Sequence, residues 1–202
     1  MNKKGLIILI AGLLCVAAAI GLFVNNALTS QRAGESSQKI TEEIEKKIAE
    51  ENSGEENTFP TDNPNREMPT VTVEDQDYIG ILSIPELELK LPVLASFDYD
   101  SLQVTPCLYS GSIYRKNMVI GAHNYDSHFG NIGSLSQGSR VIFTDVENHR
   151  YDCEVVSMET LNPEQNDELT KKFGNDWDMS LFTCNYSGSA RIVVRCCIRE
   201  QS

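Results

Sequence analysis

Apolar and polar positions divide this chain into three textures. From Gly5 to Val24 twenty apolar residues run without a break, GLIILIAGLLCVAAAIGLFV. At about 1.5 Å per helical residue the run is about 30 Å long, enough to cross the hydrocarbon core of a bilayer. Lys3 and Lys4 precede it, which predicts a cytoplasmic N-terminus and a remainder outside the cell. A cleaved signal peptide is the alternative. Its apolar stretch is ordinarily about 7–15 residues and ends at small residues, whereas Asn25-Asn26-Ala27-Leu28 follows here. In the second texture Ile40, Ile44 and Ile48 recur among Glu and Lys. That spacing predicts a helix with a thin apolar stripe, read as a solvated stalk, with packing against the domain or self-association as the alternative. Residues 51–70 then carry Pro60, Pro64 and Pro69 among many Glu, Asn and Asp. They read as a disordered acidic spacer.

The third texture is a series of short β-rich runs between turn residues. Strands are predicted at Tyr78–Ile84, Leu89–Leu94, Met118–Ala122, Arg140–Thr144, Arg150–Glu159, Met179–Cys184 and Arg191–Ile198. Glu147-Asn148-His149 is a hairpin turn between the fourth and fifth. Short helices are expected near Tyr99–Val104, Gly130–Leu135 and Pro163–Phe173. Many short strands with few helices predict a mostly-β barrel or sandwich. The domains are therefore 1–24, a cytoplasmic stub and transmembrane anchor; 25–75, a stalk helix and linker; and 76–202, a β-rich domain long enough for one core.

Composition narrows the partners. The net charge is −12 and no block of the domain is basic, so nucleic acid is not an expected partner. None of the six cysteines forms a CxxC pair, which excludes a zinc ribbon or a thioredoxin-type motif. Cys153 and Cys196 lie in strand-like runs and are read as buried thiols, with a disulfide as the alternative in an exported protein.

Three residues carry candidate chemistry. Cys184 ends the run Met179-Ser180-Leu181-Phe182-Thr183, where a nucleophile is rigidly held yet reachable. His123 ends Met118-Val119-Ile120-Gly121-Ala122, with Gly121 and Ala122 read as leaving room for a substrate backbone. Arg191 opens the next strand, and the short link Asn185–Ala190 folds it back against Cys184. A thiolate, a proton-moving imidazole and a guanidinium for an oxyanion make a usable set for acyl transfer. Taken singly, a strand cysteine is usually a small buried hydrophobe and an edge arginine is usually solvated. His128 and His149 compete for the base role, His128 more seriously.

The segment Ser180-Leu181-Phe182-Thr183-Cys184 resembles the Thr-Leu-X-Thr-Cys signature of the sortases, with Ser180 where Thr is usual. Arg191-Ile192-Val193-Val194 resembles their catalytic-arginine strand, and Gly121-Ala122-His123-Asn124 their histidine segment, with Ala122 where Gly is common. Ile84-Pro85 and Leu91-Pro92-Val93 resemble the start of their barrel. The resemblance covers residues 76–199. It implies a closed eight-stranded β-barrel and a membrane-anchored cysteine transpeptidase of Gram-positive surfaces. Such an enzyme cleaves an LPXTG-like sorting signal through a thioacyl intermediate. It passes the protein to a peptidoglycan-precursor or pilin amine. Cys184, His123 and Arg191 would be catalytic, and Thr183, Leu181 and Asn124 would contact substrate. No cofactor is implied. Calcium at Glu164, Asp167 and Glu168 is a minor alternative, since three exposed loop acids usually bind nothing specific. Without a second apolar span or an Asp-Pro-aromatic lid motif, the pattern is not that of a typical pilin polymerase. A cysteine peptidase of another family, or a tethered non-catalytic barrel, are the competing readings.

Overall fold

The computed structural model describes residues 3–51, 63–172, 174 and 176–199. Most of the expected spacer, residues 52–62, lies outside the described residues. The chain opens with one helix, α1 (Lys3–Glu51), unbroken for 49 residues. Nine strands follow: β1 (Val71–Val73), β2 (Gln76–Ile84), β3 (Leu89–Leu94), β4 (Cys107–Ser110), β5 (Met118–Gly121), β6 (Arg140–Asp145), β7 (Arg150–Leu161), β8 (Met179–Cys184) and β9 (Arg191–Ile198). One short helix, α2 (Asn166–Thr170), precedes β8.

Strands β2 to β9 close on themselves in the order β2-β3-β4-β5-β8-β9-β7-β6, with β6 returning to β2; β1 extends the sheet as an edge hairpin. The result is the closed eight-stranded barrel implied by the resemblance. Closure is a matter of close approach at Gly80. It stands opposite Asp145 beside a bulge in β2, with φ +154° and only 2.2 Å between an added Cβ and the Thr144 carbonyl oxygen. Most pairs are antiparallel, but β3 and β4 meet in parallel at Leu94↔Cys107, and β5 and β8 run parallel from Met118↔Met179 to Gly121↔Phe182. The β5–β8 pairing carries the ends of both strands to the same rim. The interior is filled by Ile79, Leu82, Ile84, Val93, Met118, Ile120, Phe143, Leu181 and Val194, all essentially buried.

Two features depart from the sequence reading. Strands β1 and β4 were not foreseen. β4 has four residues, too few to show an alternation, and joins β3 through a single bridge, Leu94↔Cys107, and β5 through pairs from Cys107↔Gly121 to Ser110↔Val119. The second departure is larger. Ile40, Ile44 and Ile48 are not a solvated stripe; they are buried against Val73, Tyr78, Ile81 and Leu94 on the outside of the barrel. Burial of three isoleucine side chains is worth about 1.5–3 kcal/mol each. Lys39 pairs with Glu74 and Lys90 with Glu45 across the same seam. The apolar residues 5–24 of the same helix remain exposed, and this is the one described helix apolar and long enough to be a candidate membrane span.

Candidate active site

Cys184 is the last residue of β8 and the exposed one; the five before it are buried. In β9 its direct cross-strand partner is Arg191. Opposite residues of an antiparallel pair project to the same face, with Cβ atoms about 5 Å apart. The intervening turn is tied by Asn185, whose backbone N–H donates to the Ala190 carbonyl at 2.9 Å. The Asn185 side-chain oxygen accepts from the Ala190 N–H at 3.2 Å.

His123 arrives from β5. The Ala122 N–H donates to the Phe182 carbonyl at 3.1 Å, and the Thr183 hydroxyl donates to the Ala122 carbonyl at 2.9 Å. These two bonds hold the residue before His123 against the two residues before Cys184. His123, Asn124, Cys184 and Arg191 then line one cleft of about 570 Å³, whose apolar walls include Phe97, Tyr109, Leu169 and Phe182. Tyr125 stacks edge-on against the His123 ring, centroids 4.2 Å apart. Burial disfavours the imidazolium and lowers the His123 pKa below its ordinary value. Arg191 spends one donor on the Pro163 carbonyl at 3.0 Å, which ties it to the β7–β8 connection; a guanidinium has five.

Leu181 and Thr183 stand elsewhere. Leu181 is packed in the barrel core and Thr183 is buried with its hydroxyl committed to Ala122, so neither side chain faces the cleft. The reason is strand alternation: residues 184 and 182 share one face and 183 and 181 the other. Phe182 is therefore the strand residue that reaches the cleft, a signal the sequence contained and the motif obscured. The space over Gly121 is likewise filled; a Cβ there would lie 2.6 Å from the Phe182 ring. It admits that ring and not a substrate backbone.

The rival histidines are occupied. His128 is wholly buried, with Nε2 3.4 Å from the Ser37 hydroxyl of α1 and Nδ1 unpartnered among the described residues. Desolvation, with the nearby His123 adding to it, pushes its pKa down to about 4. His149 Nδ1 lies 3.1 Å from buried Asp145, in the β6–β7 hairpin. Among the described residues the one grouping with metal-ligand spacing is Asp145, Glu147 and His149. Asp145 accepts from Tyr114 and from two backbone N–H groups, and Glu147 pairs with Arg66 through one oxygen, the other being buried without a hydrogen bond among the described residues. Glu168 is paired with Lys171 at 2.8 Å.

A buried cation supports the cleft from behind. Arg195 is 5% exposed and donates to Glu159, to the Leu169 and Glu168 carbonyls of α2 and to the Ser180 hydroxyl. Trp177 stacks on its guanidinium at 4.8 Å. Arg195 thus fastens α2, with its cleft-lining Leu169, to β8. Cys107, Cys153 and Cys196 are buried free thiols, and burial pushes Cys107 and Cys153 up to about 12.

A family model described as Sortase domain matches residues 82–198. Sortase A of Bacillus anthracis is 29% identical over 128 residues, which is 58% of this chain and 57% of that relative's length. The structure of a Clostridium perfringens sortase D5 transpeptidase aligns with TM-score 0.60 at 17% identity, over 82% of this chain and 99% of the other. A C. perfringens sortase C, solved with the C-terminal cell wall sorting motif, aligns with TM-score 0.54 at 23% identity, over 81% and 91%. Both are likenesses of fold.

Proposed function

This chain belongs to the sortase family, and from that premise we propose that it is a membrane-anchored cysteine transpeptidase acting outside the cell. Its substrate is a surface protein bearing a C-terminal sorting signal of the LPXTG-like class. A sortase C of similar fold was solved with a C-terminal cell wall sorting motif, in line with a substrate of that kind. The observation that carries the reading is the cleft itself: an exposed cysteine directly across the sheet from an arginine, with a half-buried histidine at the same rim.

In the active form Cys184 is a thiolate and His123 an imidazolium. The thiolate attacks the Thr carbonyl of the signal, and the remaining donors of Arg191 receive the oxyanion. As the C–N bond breaks, His123 gives its proton to the departing amine, leaving a thioester on Cys184. An amine from a cell-wall precursor or a pilin then attacks. His123 takes its proton, the C–S bond breaks, and the thiolate returns. Burial, which lowers the His123 pKa, disfavours the imidazolium of this pair.

Incubation with an LPXTG-type peptide, without amine, is expected to add the acyl fragment to Cys184, seen by mass. A glycine-type or diaminopimelate-type amine should then discharge it as product. Cys184→Ala should give neither species with the barrel still folded. Transfer by that variant would sink the mechanism, and discharge only to water with every amine would make the protein a peptidase.

A further inference from the structure

The helix that carries the candidate membrane span is the same helix that grips the barrel, and it meets the barrel in a fixed order. Ser30 comes first: its backbone carbonyl accepts from the Ser127 hydroxyl at 2.7 Å, and the two hydroxyls lie 3.3 Å apart. Gly34 follows, where an added Cβ would stand 3.0 Å from Ser127. Ser37 then donates to the Val104 carbonyl at 2.8 Å and reaches His128. Last come Ile44 and Ile48, with Ile48 lining a groove together with Asn148 and Arg150. Ser127 and His128 belong to the loop that begins at His123 and is closed by the Phe129 N–H donating to the His123 carbonyl at 3.1 Å. Asn148 and Arg150 belong to the β6–β7 hairpin, at the other end of the barrel.

Helix rise converts this order into height. Ser30 stands about 9 Å beyond Val24, Ser37 about 20 Å and Ile48 about 36 Å. The headgroup layer on one side of a bilayer is about 5–8 Å deep. We propose that α1 holds the barrel against the bilayer with its catalytic end down, so that the His123–Phe129 loop rests on the lipid headgroups and the β6–β7 hairpin points away. The proposal rests on the reading that residues 5–24 span the membrane. Nothing between Val24 and Ser30 breaks the helix, so the height is set by covalent geometry and not by a flexible tether. A reactant anchored in the same bilayer meets the cleft at its own level.

The test uses the full, unmodified chain in nanodiscs whose lipids carry a photoreactive diazirine on the headgroup. After illumination, lipid adducts mapped by mass are expected on residues 124–128 and to be absent from 147–150. A second chain carries seven helix-forming residues inserted between Leu28 and Thr29. Seven residues raise the barrel by about 10.5 Å and leave its facing within about 20°. Adducts on 124–128 should then fall several-fold. Equal labelling of both ends, or heavier labelling of 147–150, overturns the proposal while leaving the anchor intact. Failure of the chain to enter nanodiscs overturns both, and in that case no adduct appears at either end or along residues 5–24.

Discussion

Among single residues, His128 has the most unusual environment. It has no exposure, it is packed against Ser37, Val104 and the Tyr125 ring, and its Nδ1 has no close hydrogen bond among the described residues. Its pKa is pushed from 6.5 down to about 4. Between those pH values the unfolded chain binds a proton that the folded one refuses. The stability His128 contributes is therefore present above pH 6.5 and lost as pH falls through about 4, on the order of 3 kcal/mol at the acid end. His128→Gln should flatten the dependence of Tm on pH in that window, as measured by thermal melts of the two chains from pH 7 to pH 4. Parallel curves would mean the ring is solvated. Residue type and position at strand ends marked Cys184 and Arg191, while His123 stood ahead of His128 only through its resemblance to the family's histidine segment. That His128 is sealed under α1 was not legible, since nothing in Ser127-His128-Phe129 announces a helix 90 residues earlier as its cover.

At the scale of elements, β2 and α1 explain one another. A strand with one face in water alternates, yet Tyr78–Leu82 is buried at every position. That pattern marks a strand covered on both faces, and α1 is the cover. Ile44 is fully buried at the centre of the seam. Truncating it to Ala should cost about 2–5 kcal/mol of docking and stability together. Chemical unfolding should show that loss. Hydrogen exchange should show α1 residues 33–48 opening before the barrel. A loss below about 0.5 kcal/mol would return α1 to the status of a solvated stalk. The stripe Ile40, Ile44 and Ile48 was visible in the sequence; its partner was not, because a thin stripe among Glu and Lys serves a free helix equally well. In β8 the reverse holds. The alternation that puts Phe182 beside Cys184 and sends Leu181 inward is local, and strict period-two counting from the exposed Cys184 suffices to find it.

Considered whole, the molecule is a barrel closed at the β2–β6 seam, gripped on its outside by α1, with the cleft at one rim. Closure depends on Gly80, where the β6 backbone passes too near for any side chain. Gly80→Ala must move Thr144 or open the β2–β6 pairing, at a cost of several kcal/mol. Thermal melts should show a large drop in Tm, and loss of slow amide exchange along β6 should accompany it. An unchanged Tm would mean the seam is looser than its geometry. The chain by itself determined what is encoded within a few residues. That covers the apolar span, the boundaries of most strands, the turns, and the order of a histidine, a cysteine and an arginine at strand ends. Those signals are periodicities and side-chain chemistries, and they need no partner to be read. Only the tertiary structure decided that β1 and β4 exist, that the ring closes at Gly80, that α1 lies on the barrel, and which of the three histidines faces the cysteine. Strands β1 and β4 are three and four residues long, too short to show a period; the rest depends on groups far apart in the chain, and no local pattern states which pairing of apolar surfaces removes the most area from water.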